Sequence, residues 1–330
     1  MEKIAEKKHH AAQWFKELRD QFCSSFQKID GGEFKRKKWN HKEEGGGEMS
    51  IMKGKVFEKV GVNISTVSGN FSEEYRSKIK GTENSPKYWA SGISLVAHMK
   101  SPKIPAFHFN TRFLVTGESW FGGGADMTPT TVNKKDTKHF HDKMKEACSP
   151  YNKKYYPEFK KKCDEYFYLP HRKEARGEGG IFFDYLNTGH WGKDFSFVKG
   201  VGLRTLEAIT EIVKLHKDLQ WSDNEKEAQL IKRGRYVEFN LIWDRGTLFG
   251  LKTGDTISGS FKTGSDGSID LTSITEGNYT GSYKLSATDT KKIINIIDVS
   301  EVLDLSTGLS KCVEPIVIYL SKAICSFEYP

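Results

Sequence analysis

The 330-residue sequence predicts an α+β fold, on three observations. Apolar residues recur at spacings of three and four in several stretches, and short β-compatible runs separate those stretches. One of the runs alternates polar and apolar side chains strictly enough to put a polar row on one face of a sheet.

Taken in order, residues 10–30 place Ala11, Trp14, Phe15, Leu18, Phe22 and Phe26 on one face of a helix, which Gly31 and Gly32 end. Residues 35–47 (KRKKWNHKEEGGG) have a basic half, an acidic half and three glycines, and read as an exposed flexible loop. Residues 93–98 and 107–115 read as two strands either side of the break from Pro102 to Pro105. Helical spacing returns at 138–147 and at 155–169, where Tyr156, Phe159, Cys163, Tyr166 and Phe167 share a face. Residues 181–186 read as a strand, 202–216 and 225–233 as helices, and 235–243 (RYVEFNLIW) as the clearest strand of the chain.

The texture changes after Gly254. Of the 36 residues 253–288, 20 are Gly, Ser or Thr, and the tetrad GSFK at 259–262 returns as GSYK at 281–284, the pattern of a small β-meander or a polar linker. Two apolar segments follow at 293–305 and 316–327. The expected division is a catalytic unit over 1–254 and a compositionally separate tail over 255–330.

Hydrophobic residues at 37% and charged residues at 28% exclude a disordered chain. The longest apolar run, 313–327, is broken by Glu314, Pro315 and Lys322, so no membrane-spanning helix is expected. The first residues lack the apolar core of a secretory signal, and the cytoplasm is the expected location. Five scattered cysteines without a CxxC pair indicate neither a disulfide framework nor a zinc knuckle. The net charge is +8, and through Gly254 there are 45 basic residues against 33 acidic ones. Such a surface can attract nucleic acid, anionic lipid or an acidic small molecule. The lysines at 35–38 argue poorly for nucleic acid, because acids follow them and only one aromatic interrupts them.

Alternation puts His108, Asn110 and Arg112 together, opposite Phe107, Phe109 and Phe113, and groups Ser94, Val96 and His98 on the neighbouring strand. If the strands pair, Ser94, His98, His108, Asn110 and Arg112 form a polar floor with donors for an anion and two imidazoles. A solvated sheet face has the same pattern. Read as a strand, 235–243 adds Glu238, Asn240 and Asp244 on one face, with Asp244 before Arg245 and Gly246, where a plain turn is the commoner use. The run WFGGGAD at 120–126 lets backbone approach a flat ligand closely but lacks GxGxxG or Walker spacing. His98, His108, His141 and His171 could converge on a metal, although no HExxH is present. Without a GxSxG or a cysteine in a nucleophile context, covalent acyl transfer is disfavoured.

Five blocks then carry a resemblance: VFEKVGVNISTVSG (56–69), ISLVAHMKSPKIPAFHFNTRF (93–113), WFGGGADMTP (120–129), YFYLPHRKEARGEGGIFFDYLN (166–187) and RGRYVEFNLIWDRGTLFGLKTG (233–254). In this order the sequence resembles the oxygen-dependent coproporphyrinogen III oxidases over residues 10–254. The resemblance implies a large flat antiparallel β-sheet flanked by helices on both faces, usually in a homodimer. It implies oxidative decarboxylation of two propionates of coproporphyrinogen III to vinyl groups by molecular oxygen in haem biosynthesis. The products are protoporphyrinogen IX, carbon dioxide and hydrogen peroxide, and no organic cofactor is needed.

By the same resemblance, Ser94, Asn110, Thr111, Arg112 and Gly254 contact substrate and His108 donates a proton. Asp244, followed by Arg245, holds the pyrrole N–H groups. Some members are described as using a divalent metal held by the positions of His98, His108, His141 and His171, and others as working without one. A flat tetra-anion accounts together for the basic segment, the strand-face arginine and the glycine-lined aromatic run.

The resemblance stops after GLKTG. There the family continues with a second glycine, a propionate-binding arginine and an interface strand, whereas this chain has Asp255, Thr256, Ile257 and Ser258 and no arginine beyond Arg245. Weaker substrate binding and a weaker dimer are therefore expected. A second reading follows from the same departure: a non-catalytic tetrapyrrole-binding or interaction protein derived from the enzyme.

Overall fold

The computed structural model describes residues 3–41, 43–76 and 79–244, with two further strand segments at 262–263 and 269–270. Its frame is one antiparallel sheet of seven strands in the order β1-β2-β3-β4-β5-β6-β9. These are β1 (Lys35–Asn40), β2 (Glu44–Met52), β3 (Phe57–Asn70), β4 (Lys87–Met99), β5 (Ala106–Val115), β6 (Ser119–Thr128) and β9 (Gly179–Leu186). The helices are α1 (Ile4–Asp30), the single turn α2 (Glu73–Arg76), α3 (Lys134–Cys148), α4 (Tyr155–Tyr166), α5 (Trp191–His216) and α6 (Asp223–Ile242). A separate two-strand pair, β7 (Tyr168–Leu169) with β8 (Glu174–Ala175), precedes β9, and β10 (Lys262–Thr263) pairs with β11 (Ile269–Asp270).

Alternation makes one face of the sheet the core. Val60 and Val62 of β3, Ile93, Leu95 and Ala97 of β4, and Phe107, Phe109 and Phe113 of β5 are buried there. Against them lie Phe15, Leu18, Phe22 and Phe26 of α1 and Phe197, Val198, Val201 and Ile209 of α5. The Phe22 ring sits 5.5 Å from Phe109 and the Phe26 ring 4.7 Å from Phe57. A side chain at Gly202 would put its Cβ 2.5 Å from Leu18, so this glycine sets how closely α5 approaches α1. Helix α1 ends as its sequence predicts, on Gly31 in the left-handed region at φ 78°. Just before it, the side chain of Asp30, the last residue of the helix, accepts hydrogen bonds from the backbone N–H groups of Lys55, Val56 and Phe57.

Two sequence expectations are corrected. Residues 35–47 form the β1–β2 hairpin rather than a flexible loop. The glycines serve the pairing, since a Cβ on Gly47 would lie 2.3 Å from Ile64 O and 2.6 Å from the Trp39 ring. Residues 235–242, read as a strand, continue α6. A capping box of Ser222 and Glu225 starts that helix. Its buried residues Gln229, Arg233, Tyr236 and Phe239 follow at steps of four, three and three, so one helical face carries all of them. Strand alternation would send Tyr236 and Phe239 to opposite sides.

Helix α6 meets the sheet on the second face. Gln229 and Arg233 both donate to Met99 O at the end of β4, and Tyr236 meets the His98 ring edge to face at 5.3 Å. Helices therefore lie on both sides of the sheet, α1, α3 and α5 covering the core face and α6 one end of the other.

Cys23, Cys148 and Cys163 are buried free thiols. Burial pushes Cys23 up to about 11 and Cys148 up to about 12, and raises Cys163 well above the ordinary thiol value. Cys312 and Cys325 lie outside the described residues, as do the apolar segments 293–305 and 316–327. Among the described residues, no helix is long and apolar enough to cross a membrane.

Candidate active site

The second face of the sheet is organised in cross-strand rows. Ala90, Leu114 and Trp120 form an apolar row at one end, with Tyr185 stacked on Trp120 at 4.8 Å. Next come Gly92, Arg112 and Gly122, then Asn63, Ser94, Asn110, Gly124 and Phe182. The following row holds Gly61, Val96, His108, Asp126 and Gly180, and beyond it lie His98 and Thr128. Ser94, His108, Asn110 and Arg112 thus share one patch, as the alternation predicts.

Charge on this face is paired. Arg112 Nη2 lies 2.8 Å from Asp184 Oδ1, both side chains being almost fully buried, in an ion pair that acts by Coulomb attraction more than by a well-aimed hydrogen bond. Gly122 sits beneath them. A Cβ there would lie 2.4 Å from Asp184 Oδ1 and 2.8 Å from Arg112 Cζ, so the glycine leaves the space the pair occupies.

Two rows on, His108 Nδ1 meets Asp126 Oδ1 at 2.7 Å, Asn110 Nδ2 of the row between donates to His108 Nε2 at 3.2 Å, and Arg176 donates to Asp126 Oδ2. Burial would raise the Asp126 carboxyl. The Arg176 guanidinium and the hydrogen bond from His108 outweigh that and hold it below the usual carboxylate range.

The chain matches the family profile described as Coproporphyrinogen III oxidase over residues 10–261. The oxygen-dependent coproporphyrinogen-III oxidase of Rickettsia bellii (strain RML369-C) is 56% identical over 250 residues, which cover 73% of this chain and 90% of that protein. The one from Rickettsia akari (strain Hartford) is 55% identical over 258 residues, covering 75% and 92%. The chain belongs to the coproporphyrinogen III oxidase family. The family match runs seven residues past Gly254, where the sequence blocks stop.

Against this family reading, the site residues inferred from sequence fall into three groups. Ser94, His108, Asn110 and Arg112 stand together on the second face. Thr111 does not: it pairs with Ile93 and points into the core with no exposure, because the residue between two site-facing neighbours on a strand must face the other way. Asp244 is reached from the side, where the Tyr166 hydroxyl donates to its Oδ1 at 2.7 Å and the Tyr166 ring stacks on Phe182 at 4.9 Å. Arg245 and Gly254 lie outside the described residues.

The four histidines do not converge in this structure. His98 packs on Tyr236, and burial pushes its imidazole down to about 3, with Arg233, Arg176 and Lys59 adding to the effect. His141, on α3 across the sheet, is 3.0 Å from Glu178 O through Nε2 and accepts from the Tyr156 hydroxyl. His171 holds Glu238 at 2.7 Å and accepts from the Trp243 indole. With His108 on Asp126, each ring has its own neighbours, and among the described residues no three His, Cys, Asp or Glu side chains converge on one point.

Sequence reasoning missed Asp126, Arg176 and Asp184. Asp126 was inside the quoted WFGGGAD run, two residues from Gly124 and therefore on the same face, so alternation extended from strand to strand could have found it. Arg176 and Asp184 carry no local pattern.

Proposed function

We propose that this chain is an oxygen-dependent coproporphyrinogen III oxidase. It converts two propionate side chains of coproporphyrinogen III to vinyl groups and yields protoporphyrinogen IX. The reading rests on the match to oxidases of that name at 55–56% identity over nine-tenths of their length. For each side chain, –CH2–CH2–COOH and O2 become –CH=CH2, CO2 and H2O2. Two electrons pass from the side chain to oxygen as the C–C bond to the carboxyl breaks.

The geometry suggests how the residues divide this work. A flat macrocycle fits against this face beside Gly92 and Gly124, which raise no side chain from the sheet, with the Arg112–Asp184 pair over Gly122 at its edge. Arg112, oriented by Asp184, meets a propionate, and Ser94 and Asn110 supply neutral polar contacts. His108 Nε2, an acceptor in the resting arrangement, takes up a proton from the substrate and later returns it. Asp244, held by Tyr166, meets the pyrrole N–H groups. Because the reduced macrocycle is already electron-rich, orientation and proton handling are the protein's main contribution.

The division into a catalytic unit ending near Gly254 and a separate tail fits a family match that ends at residue 261. The resemblance further supports a homodimer, and sedimentation velocity on the purified chain tests the assembly. Activity is tested by incubating purified protein with coproporphyrinogen III without oxygen and then admitting oxygen. Protoporphyrin fluorescence should rise well above the spontaneous background after oxidation of the product. Binding without that rise would refute the enzyme and favour a tetrapyrrole-binding protein.

A further inference from the structure

Arg176, on the loop between β8 and β9, is buried with 4% of its surface exposed. Its backbone N–H donates to Phe167 O at 2.8 Å. Its guanidinium carbon lies 3.7 Å from the centre of the Phe167 ring, 4.2 Å from that of Tyr236 and 5.1 Å from that of Phe239. A planar guanidinium fits this aromatic slot, and the ring faces stabilise its charge without removing its donors. One of those donors goes to Asp126 Oδ2.

An arginine does not lose its proton inside a protein, so Asp126 Oδ2 faces a permanent donor. An ionised carboxylate can only accept, which obliges His108 Nδ1, 2.7 Å from Oδ1, to carry the hydrogen. Nε2 is then left with its lone pair outward, toward Asn110 Nδ2. Resting on the reading of His108 as the proton-handling residue, we propose that Arg176 is a positioning residue that selects the Nδ1–H tautomer of His108 through Asp126.

Without the cation, a carboxyl as buried as Asp126 takes up a proton and becomes a donor. Donation to Nδ1 forces the hydrogen onto Nε2 and removes the acceptor that faces the substrate. A merely structural Arg176, packed among Phe167, Tyr236 and Phe239, would leave the tautomer alone.

The experiment is a long-range proton–nitrogen correlation on the full chain labelled with 15N-histidine, with His108→Asn used to assign the His108 signals, alongside turnover measurements. The native protein should show Nδ1–H. Arg176→Met should show Nε2–H and lose turnover by on the order of 100-fold with little change in KM. Arg176→Lys, which keeps a cation beside Asp126, should recover part of the turnover and the Nδ1–H form. If Arg176→Met does not fold, Asp126→Asn answers the same question. Its amide oxygen must face the donor-only Arg176, so its NH2 faces Nδ1 and the Nε2–H form is again expected.

Persistence of Nδ1–H with undiminished turnover in either folded variant would overturn the proposal. Full turnover in His108→Asn would instead refute the role given to His108, a failure distinguishable because the tautomer change in Arg176→Met would still be seen.

Discussion

Arg112 on β5 and Asp184 on β9 meet 2.8 Å apart above Gly122 of β6, the strand that lies between theirs. The residue between them on β6 has to be glycine, since a Cβ would stand 2.4 Å from the carboxylate. Gly122→Ala should therefore displace the pair and raise KM about tenfold, equivalent to roughly 1.4 kcal/mol, while the sheet itself survives. Steady-state kinetics with a circular dichroism check measures both parts, and an unchanged KM would show that the pair has room to move.

Arg112→Ala and Asp244→Ala should differ in kind. Loss of an arginine to propionate contact is chiefly uniform binding and should raise KM, whereas loss of the group that meets the pyrrole N–H atoms should lower kcat more than it raises KM. Arg112→Ala also strands the buried Asp184 and should lower stability by about 3–5 kcal/mol. Tyr166→Phe, which removes the hydroxyl 2.7 Å from Asp244, should reproduce part of the Asp244→Ala loss in kcat. The comparison is made by full kinetics and urea unfolding of the three variants, and matching kinetic profiles in all three would contradict the division of roles.

His98 gives the fold a dependence on pH. Burial, then Arg233, Arg176 and Lys59, depress its imidazole from 6.5 to about 3, so between these values the unfolded chain binds a proton that the folded one refuses. Stability should accordingly fall as pH drops through that window, by about 1.4 kcal/mol per pH unit from this group, and be independent of it above 6.5. Urea unfolding at pH 7 and pH 5 should show a loss smaller by about 2 kcal/mol in His98→Gln than in the native protein. An equal loss in both would mean that His98 is protonated in the folded state.

Asp30 joins the end of α1 to the start of β3 through three backbone donors. Asp30→Ala leaves those N–H groups without their partner and should cost about 3 kcal/mol, with kcat unchanged at a temperature where the variant is folded. Thermal unfolding and an activity assay on the same preparation check this. A change in kcat would reveal a link between this corner and the active face.

How legible this fold was in the sequence depended on the range of the interaction that decides each element. Helix α1 and strands β4 and β5 were readable because periodicity and alternation are local, and Ser94, His108, Asn110 and Arg112 came together for the same reason. Residues 235–242 misled because Tyr236, Val237 and Phe239 have high β-propensity, while the contacts that decide for helix, Arg233 and Gln229 on Met99 O and Tyr236 on His98, are distant in sequence. Asp184 and Arg176 were invisible for that reason too, since each matters only through a partner on another strand. Thr111 was a lapse of a different kind, because a contiguous motif was carried over whole where alternation had already divided it.

The buried cysteines acquire a meaning from the chemistry proposed for this sheet. Each turnover would release two molecules of hydrogen peroxide, an oxidant that attacks sulfur through its ionised form. With its thiol near 11, Cys23 is ionised in on the order of one molecule in ten thousand at neutral pH, and Cys148, near 12, in fewer still. Cys163, whose surroundings include Asp126 itself, is also kept protonated. The protein would thus live with its own corrosive product by keeping these sulfur atoms chemically silent, and its working lifetime should be set by other residues than these three.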